Sequence, residues 1–431
     1  MAEKVKMTFA DYAKQFAKTR KNENILQKSS LIPQYTRIKS LCPGIAYPTW
    51  GGIPHKGRII EVSGLNSTGK TSGVSAIIAD YQRNFPDKSI LYADIESTYD
   101  VEYHAKANNF DPDKVYLYRP DVGESGELVL GTLLDMANSI SDISLIIVDS
   151  IPALVPSIDY ENEFEKDNGM RGTLAKFLYK WQREMIPTIA ANDIDLMLIN
   201  QTRIKGKTFT GADILDEPCG DAIKFYASVR IRFGKRKFLD ENGEELANST
   251  KAGQEKNAAT GQGASGYRIQ FSFLKNKTAP TTRGGGFITY MFDETGKQAY
   301  MDVTKDMFNI ATKFNMINRL NNVTYEVLDP NTKLLMKDEN GNDLRGKKDD
   351  LYQYFKSHKE FTEKYTLALN EKLSSSSEFS GNLLDAETAA AIQKEDQGVS
   401  LTLKEAEEIN KQERITVMDE ETAVMVSRES E

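Results

Sequence analysis

The chain has 431 residues, room for two or three domains with a sizeable core, and its 39% hydrophobic content and mean hydropathy of −0.50 describe an ordinary soluble protein. The first thirty residues are charged throughout and no apolar run approaches a membrane span, while Cys42 and Cys219 lack metal-ligand spacing, so no signal peptide, anchor or disulfide framework is expected and a reducing cytoplasm is. A formal charge of −8 discourages a nucleic-acid reading until its distribution is seen: Asp385 to Glu431 holds 13 acidic and 5 basic residues, so that tail carries the whole excess.

In chain order, Thr8 to Arg20 reads as a short amphipathic helix, with Thr8 as cap and Phe9, Tyr12, Ala13 and Phe16 on one stripe. A turn-rich segment, Ser40 to His55, follows. Then RIIEVSG, SILYADIE, SLIIVDS and DLMLINQ, separated by helix-length segments, predict an α/β fold with a mostly parallel sheet covered on both faces. Pro156 to Gly172 and Thr202 to Gly220 are long, polar and aperiodic, and each follows a strand, which suits functional or disordered loops. Leu239 to Gly266 reads as a hairpin insertion.

In FSFLKNKTAP, Phe271 to Pro280, a strand would put Phe271, Phe273, Lys275 and Lys277 on one face, with the two like charges roughly 7 Å apart. Either the strand runs out into solvent, or both ammonium groups aim at a strong anion. After Tyr300 a small mixed segment ends in the helical KKDDLYQYFKSHKEFTEKYTLALNEKL. Ser374 to Ser377 reads as a linker, and the acidic tail beyond it as mobile.

GLNSTGKT, Gly64 to Thr71, has the phosphate-loop spacing between a strand and a helix. Gly64, Ser67, Thr68, Gly69, Lys70, Thr71 and Ser72 would close backbone N–H groups around phosphate oxygens at a helix N-terminus. Lys70 would reach the β- and γ-phosphates of ATP, and Thr71 with Asp149, at the end of LIIVDS, would hold Mg2+. Glu96, beside Asp94 at the end of another strand, either activates water or is a strand-end charge. Gln201 is either a γ-phosphate sensor or a polar strand terminus, and the pattern alone leaves both alternatives open.

The co-linear order GLNSTGKT, DIES, RPDVGESG, LIIVDSIPAL, LINQTR, IKFYASVRIRF and FLKNKTAP resembles the RecA-type homologous recombinases, including the phage UvsX-type members, from about Ile38 to Tyr300. The segment after Tyr300 resembles the phage branch. The resemblance implies a RecA-type ATPase core at 38–300, an N-terminal oligomerisation segment at 1–37, a small C-terminal domain at 301–373, and a linker with an acidic flexible tail at 374–431.

It also implies roles. Glu96 matches a catalytic glutamate, Gln201 a γ-phosphate sensor, Asp100 and Tyr103 residues that hold adenine, and Phe225 an aromatic that reaches the neighbouring nucleotide. Lys275 and Lys277 match a pair that faces the ATP of the neighbouring subunit. The loops 156–172 and 202–220 match segments that line single-stranded DNA. Lys176 and Arg183 match basic DNA contacts, and Arg171, Arg203, Lys205, Lys207 and Phe209 are the other candidates by charge and stacking.

Two departures stand out. Cys219-Gly220-Asp221 replaces Gly-Gly-Asn, which puts a DNA contact at 221 in doubt, and the first loop is mainly acidic. The cluster Arg230, Arg232, Lys235, Arg236 and Lys237 either holds a second DNA strand or is a solvated strand end. The implied function is a DNA-dependent ATPase that forms filaments on single-stranded DNA, pairs it with duplex and exchanges strands in the (bacterial host) cytoplasm, with single-strand-binding and mediator proteins as further partners. The rivals are a ring helicase of the same fold, a mediator that exchanges nothing, and a small-molecule kinase.

Overall fold

The computed structural model describes residues 7–21, 26, 36–158, 173–207, 213–217, 219–220, 222–234, 236–241, 243–246, 263–376 and 383. The chain divides into two compact units, Met1–Thr36 and Arg37–Glu431. In the first, helix α1 (Phe9–Arg20) begins where the Thr8 hydroxyl accepts from the Asp11 N–H, and ends at Lys21 in the left-handed conformation. No residue of α1 is buried.

In the second unit, a short two-stranded ribbon, β1 (Thr36–Ile38) with β2 (Ile53–His55), brackets helix α2 (Pro43–Ala46). The core alternates strand and helix. Its elements are β3 (Ile59–Gly64), α3 (Lys70–Asn84), β4 (Ser89–Asp94), α4 (Val101–Asn108), β5 (Val115–Tyr118), α5 (Gly126–Ser139), β6 (Ile143–Asp149), α6 (Thr173–Ala191) and β7 (Asp195–Ile199). A small ribbon, β8 (Arg203–Lys207) with β9 (Asp213–Asp216), and helix α7 (Ala222–Tyr226) follow. Then come β10 (Val229–Phe233), β11 (Lys237–Leu239), β12 (Gly266–Asn276), β13 (Gly285–Phe292) and β14 (Ala299–Met301).

The ten-stranded sheet runs β14-β13-β12-β10-β3-β7-β6-β4-β5, with β11 paired to β12. From β10 to β5 every pair is parallel, and from β10 to β14 every pair is antiparallel. The chain is thus an α/β protein with a mainly parallel sheet. The continuous apolar strands explain why. Successive residues point to opposite faces, so Ile60, Val62, Ile90, Tyr92, Leu145, Ile147, Met197 and Ile199 join one core with α3 and α4. Their neighbours Ile59, Leu91, Ala93, Ile146, Val148, Leu196 and Leu198 join a second core with α5 and α6. Both faces are dry, as a parallel sheet requires.

A third core lies under α8 (Val303–Lys313), β15 (Ile317–Arg319), β16 (Thr324–Val327), β17 (Arg345–Lys347), α9 (Lys348–Ser357) and α10 (Lys359–Ser375). Leu383 is buried against it.

The segment 202–220 departs from the aperiodic loop expected of it. Arg203–Lys207 and Asp213–Asp216 pair antiparallel, with a bulge between Ile204 and Gly206. The bulge breaks the two-residue period, so the strands do not show as alternation in the sequence. The insertion at 239–266 joins antiparallel β11 and β12, with Leu239 opposite Gly266. Among the described residues, no helix is long and apolar enough to cross a membrane.

Candidate nucleotide and nucleic-acid site

The loop from Gly64 links β3 to α3, and its glycines make room that no side chain could share. At Gly69 (φ 88°) an added Cβ would lie 2.6 Å from Ile269 Cδ1, and at Gly64 one would lie 2.7 Å from the Phe233 carbonyl oxygen. Gly69 also supplies no side-chain cap to α3, so the first N–H groups of that helix have no side chain to satisfy them. The loop is closed on itself by the Thr68 hydroxyl, which donates to the Leu65 carbonyl (2.8 Å). Lys70 Nζ donates to the carbonyls of Gly64 (3.0 Å) and Leu65 (2.9 Å). Burial lowers the Lys70 pKa, with Asp149 and Glu96 acting against it. An uncapped helix end, a glycine cradle and an inward lysine form an anion site.

Asp149 ends β6. Burial pushes its carboxyl up to about 6, with Glu96 and Asp94 adding to the shift and Tyr92 and Lys70 opposing it. The Tyr92 hydroxyl donates to one of its oxygens at 2.5 Å. Among the described residues no group of three carboxylate, histidine or cysteine side chains could hold a metal alone. One carboxylate and the Thr71 hydroxyl beside a phosphate cradle instead suit magnesium, which keeps waters and takes its remaining ligands from phosphate.

Glu96 and Asp94, adjacent in sequence pattern, separate clearly. Asp94 is buried and accepts from the Thr98 N–H (3.1 Å), the Tyr99 N–H (3.2 Å) and Arg119 Nε (3.0 Å). It is a structural anchor. Glu96 is exposed, and its Oε1 accepts from the Ser150 hydroxyl and Gln201 Nε2, each at 2.5 Å. Gln201 Nε2 also lies 3.3 Å from Ser150 Oγ. Three strand ends, β4, β6 and β7, meet in this cluster. Ser150 escaped the sequence reading, although its hydroxyl follows directly on Asp149.

Gln201 leads straight into β8, the basic strand of the hairpin. The N–H of Thr202 donates to the Gly64 carbonyl (3.1 Å), tying the root of β8 to the first glycine of the loop. Arg203 and Lys205 are exposed on β8. On α6, Lys176 and Arg183 are exposed two turns apart, and Arg183 lies over the Tyr179 ring at 5.8 Å. Arg171, Phe209 and Asp221, and the first loop from 159 to 172, lie outside the described residues, as does the side chain of Lys207.

Asp100 caps α4, accepting from the Tyr103 N–H at 2.9 Å. Phe225 is 72% exposed. Lys275 and Lys277 converge on its carbonyl oxygen, at 3.2 and 3.1 Å, and Lys275 also donates to the Lys224 carbonyl. Phe271 and Phe273 are buried on the same strand, so the expected switch from apolar to cationic along β12 marks where the strand leaves the core. Burial lowers the Lys275 pKa, and Lys277 and Arg230 add to the effect.

Both readings offered for Arg230 and Arg232 need correction. They neither face solvent nor offer charge to DNA. Arg230 is bonded to Glu61 through Nε and to Glu217 (2.7 Å), and Arg232 to Glu217 (2.6 Å). The reason is position: β10 lies inside the sheet between β3 and β12, and Glu61 on β3 is buried next to it. Glu217, at the base of the hairpin, is pushed up by burial but held below the usual range by Arg230, Arg232 and Lys224.

The RecA N-terminal domain family model matches residues 40–264. The chain belongs to the RecA N-terminal domain family. It is 34% identical over 244 residues to Protein RecA of Helicobacter hepaticus, and 33% over 245 residues to Protein RecA of Campylobacter jejuni subsp. doylei. In both cases the match covers 57% of this chain and 62% of the relative. Protein RecA of Lactobacillus acidophilus is 33% identical over 231 residues, 53% of this chain and 55% of that protein. The chain therefore spans less than two thirds of the length of these RecA relatives. The region the family model matches holds the phosphate loop, Glu96, Asp149, Gln201 and the hairpin, whereas Lys275 and Lys277 lie beyond it.

Proposed function

We propose that this chain is an ATP-driven recombinase that assembles on single-stranded DNA as a helical filament, pairs that strand with homologous duplex and exchanges strands in the cytoplasm. The observation that carries the reading is the one-residue link between two faces. Gln201 donates to Glu96, Thr202 holds the Gly64 carbonyl, and Arg203 opens the basic strand β8. A γ-phosphate that engages Gln201 therefore acts on the root of a polynucleotide-binding ribbon, and DNA on the ribbon acts back on the water-activating carboxylate.

In this reading the N–H groups of α3 and Lys70 hold the phosphates, Lys70 exchanging two carbonyl partners for phosphate oxygens. Thr71 and Asp149 hold Mg2+, which when bound neutralises charge on the β,γ-oxygens. Glu96 Oε accepts the proton of the attacking water while the Ser150 hydroxyl fixes its orientation. Tyr103 and Asp100 flank the adenine. Phe225, Lys275 and Lys277 form one outward surface that would complete the nucleotide site of an adjoining subunit, so hydrolysis would depend on assembly. DNA would lie along Lys176, Arg183, Arg203 and Lys205, with Arg171, Lys207 and Phe209 contributing. Single-strand-binding and mediator proteins are the further partners this cycle calls for.

Electron microscopy of the full chain with ATP and single-stranded DNA tests the proposal. Open helical filaments that vanish in Lys70→Ala are expected. Closed rings would replace the reading with a ring helicase, and DNA binding without filaments or exchange would leave a mediator.

A further inference from the structure

The phosphate loop does not close its cavity alone. A space of about 220 Å³ is bounded on one side by residues 67–72 and on the other by His104 and Arg236, which come from α4 and from the β10–β11 connection. Neither residue belongs to the expected cradle. The Arg236 guanidinium lies over the Tyr267 ring at 5.2 Å, and Tyr267 stacks on Tyr290 at 5.2 Å. Both tyrosines reach Ser72, Tyr290 by donating to its carbonyl at 2.9 Å. Lys70 marks the β,γ end of the bound polyphosphate, so groups gathered about Ser72 face the other end, the α-phosphate and the sugar.

His104 follows Tyr103 and stacks on Tyr99, with centroids 5.2 Å apart and planes 5° from parallel. Its Nδ1 is closed off from solvent, so the ring nitrogen able to meet a group in the cavity is Nε2. Burial also pushes the imidazole down to about 4, against the pull of Asp100, so the ring is neutral at physiological pH. A neutral imidazole attracts a phosphate poorly. A hydroxyl, which both donates and accepts, satisfies Nε2 in either tautomer.

We propose that Arg236 holds the α-phosphate of the bound nucleoside triphosphate and that His104 pairs with a ribose hydroxyl. This rests on the nucleotide-binding reading above and assigns two of its contacts to residues that the phosphate-loop pattern does not contain. Arg236 is suited to the task because its planar group, laid on Tyr267, is preorganised to present N–H donors to phosphate.

Calorimetric titration of the full chain with ADP, ATP and their 2′-deoxy and 3′-deoxy analogues tests both contacts. Arg236→Ala should weaken ADP and ATP alike, by roughly ten- to a hundredfold, because the α-phosphate is common to them. Arg236→Lys should recover part of the loss and guards against misfolding, which unchanged thermal midpoints would also exclude. His104→Ala should weaken ATP about two- to tenfold, and the loss should disappear for the one deoxy analogue that lacks the partner hydroxyl. Unchanged ADP affinity in Arg236→Ala overturns the first assignment. Equal losses for ATP and both deoxy analogues in His104→Ala overturn the second. Lys70→Ala separates the two levels: if it too binds ADP normally, the nucleotide site itself is misassigned.

Discussion

Two groups of carboxylates sit within one sheet under opposite conditions. At the ends of β4, β6 and β7, Glu96 is exposed and its partners are neutral, the Ser150 hydroxyl and the Gln201 amide. Across β3 and β10, Glu61 and Glu217 are buried and bound to Arg230 and Arg232, with Lys224 3.7 Å from Glu217. A carboxylate held by neutral donors accepts a proton from water as the water attacks phosphorus. One saturated by guanidinium groups does not, and its charge serves packing instead. The two groups touch through Asn200, whose side chain donates to Glu61 (3.1 Å) next to Gln201 in the chain. The buried network thus forms a fixed base on which the exposed one can move.

The sharpest test of that division lies outside both groups. Lys275 and Lys277 rest on the carbonyl of exposed Phe225. If they act on the nucleotide of a neighbour, Lys275→Ala or Lys277→Ala should bind ATP normally yet lose DNA-stimulated turnover by about 10³-fold, the scale of an arginine finger. Mixing either variant with Lys70→Ala should restore part of the activity, since each supplies what the other lacks. Steady-state ATPase assays on mixed filaments decide it, and no complementation at any ratio points to a site within one subunit.

Next in size is Glu96. Glu96→Gln keeps the hydrogen-bond geometry but removes the base, so turnover should fall roughly 10²–10⁴-fold while ATP and DNA binding persist. A variant that hydrolyses at the normal rate would return Glu96 to the status of a strand-end charge. Ser150→Ala should cost less, because it removes an orienting bond rather than the base.

The buried group should answer to stability instead. Glu217→Ala removes the carboxylate that Arg230 and Arg232 share, and should cost about 3 kcal/mol, as breaking a buried pair does. The proton linkage has a definite sign. The folded-state pKa of Glu217 lies below its ordinary value of 4.5, so its contribution is present above pH 4.5 and is lost as the pH falls through the folded value. Chemical denaturation of wild type and variant at neutral pH and near pH 3 reads this out. A difference that persists undiminished in acid would mean the pairs contribute nothing to the linkage.

How far these distinctions were legible in the sequence follows from chain distance. The cradle from Gly64 to Ser72 is contiguous, so its spacing announces it, and the strand-end positions of Glu96, Asp149 and Gln201 follow from the apolar runs before them. What brings Glu96 to Ser150 and Gln201 is strand order, with separations of 54 and 105 residues that no local pattern carries. The local pattern alone does not separate Asp94 from Glu96; Arg119, 25 residues on, does so by pairing with Asp94. Arg230 and Arg232 looked solvated because their anions lie at Glu61 and Glu217, and because β10 becomes an inner strand only through pairing on both sides. The bulge at Ile204 hid the hairpin in the same way. Nothing in the sequence ties His104 or Arg236 to the cradle, since only tertiary packing brings them to it.

The smallest effect concerns a third kind of carboxylate, buried like Glu217 but hydrogen-bonded to neutral groups like Glu96. Asp306, on α8, accepts from the Thr289 N–H (3.0 Å) and the Thr289 hydroxyl (2.5 Å) of β13, joining the third core to the sheet. Burial pushes its carboxyl up to about 7, with Asp302 adding to the shift and Arg268 and Thr289 opposing it. The fold therefore favours the protonated form. Its contribution is fully present below the ordinary value of 3.8 and is lost as the pH rises through about 7, opposite in sign to Glu217. Asp306→Asn, uncharged at every pH, should remove that dependence. The thermal midpoint of the wild type should fall relative to that of the variant between pH 5 and pH 8. Parallel curves across that range would mean that Arg268 already neutralises the site, and that burial with neutral partners is not enough to set the sign.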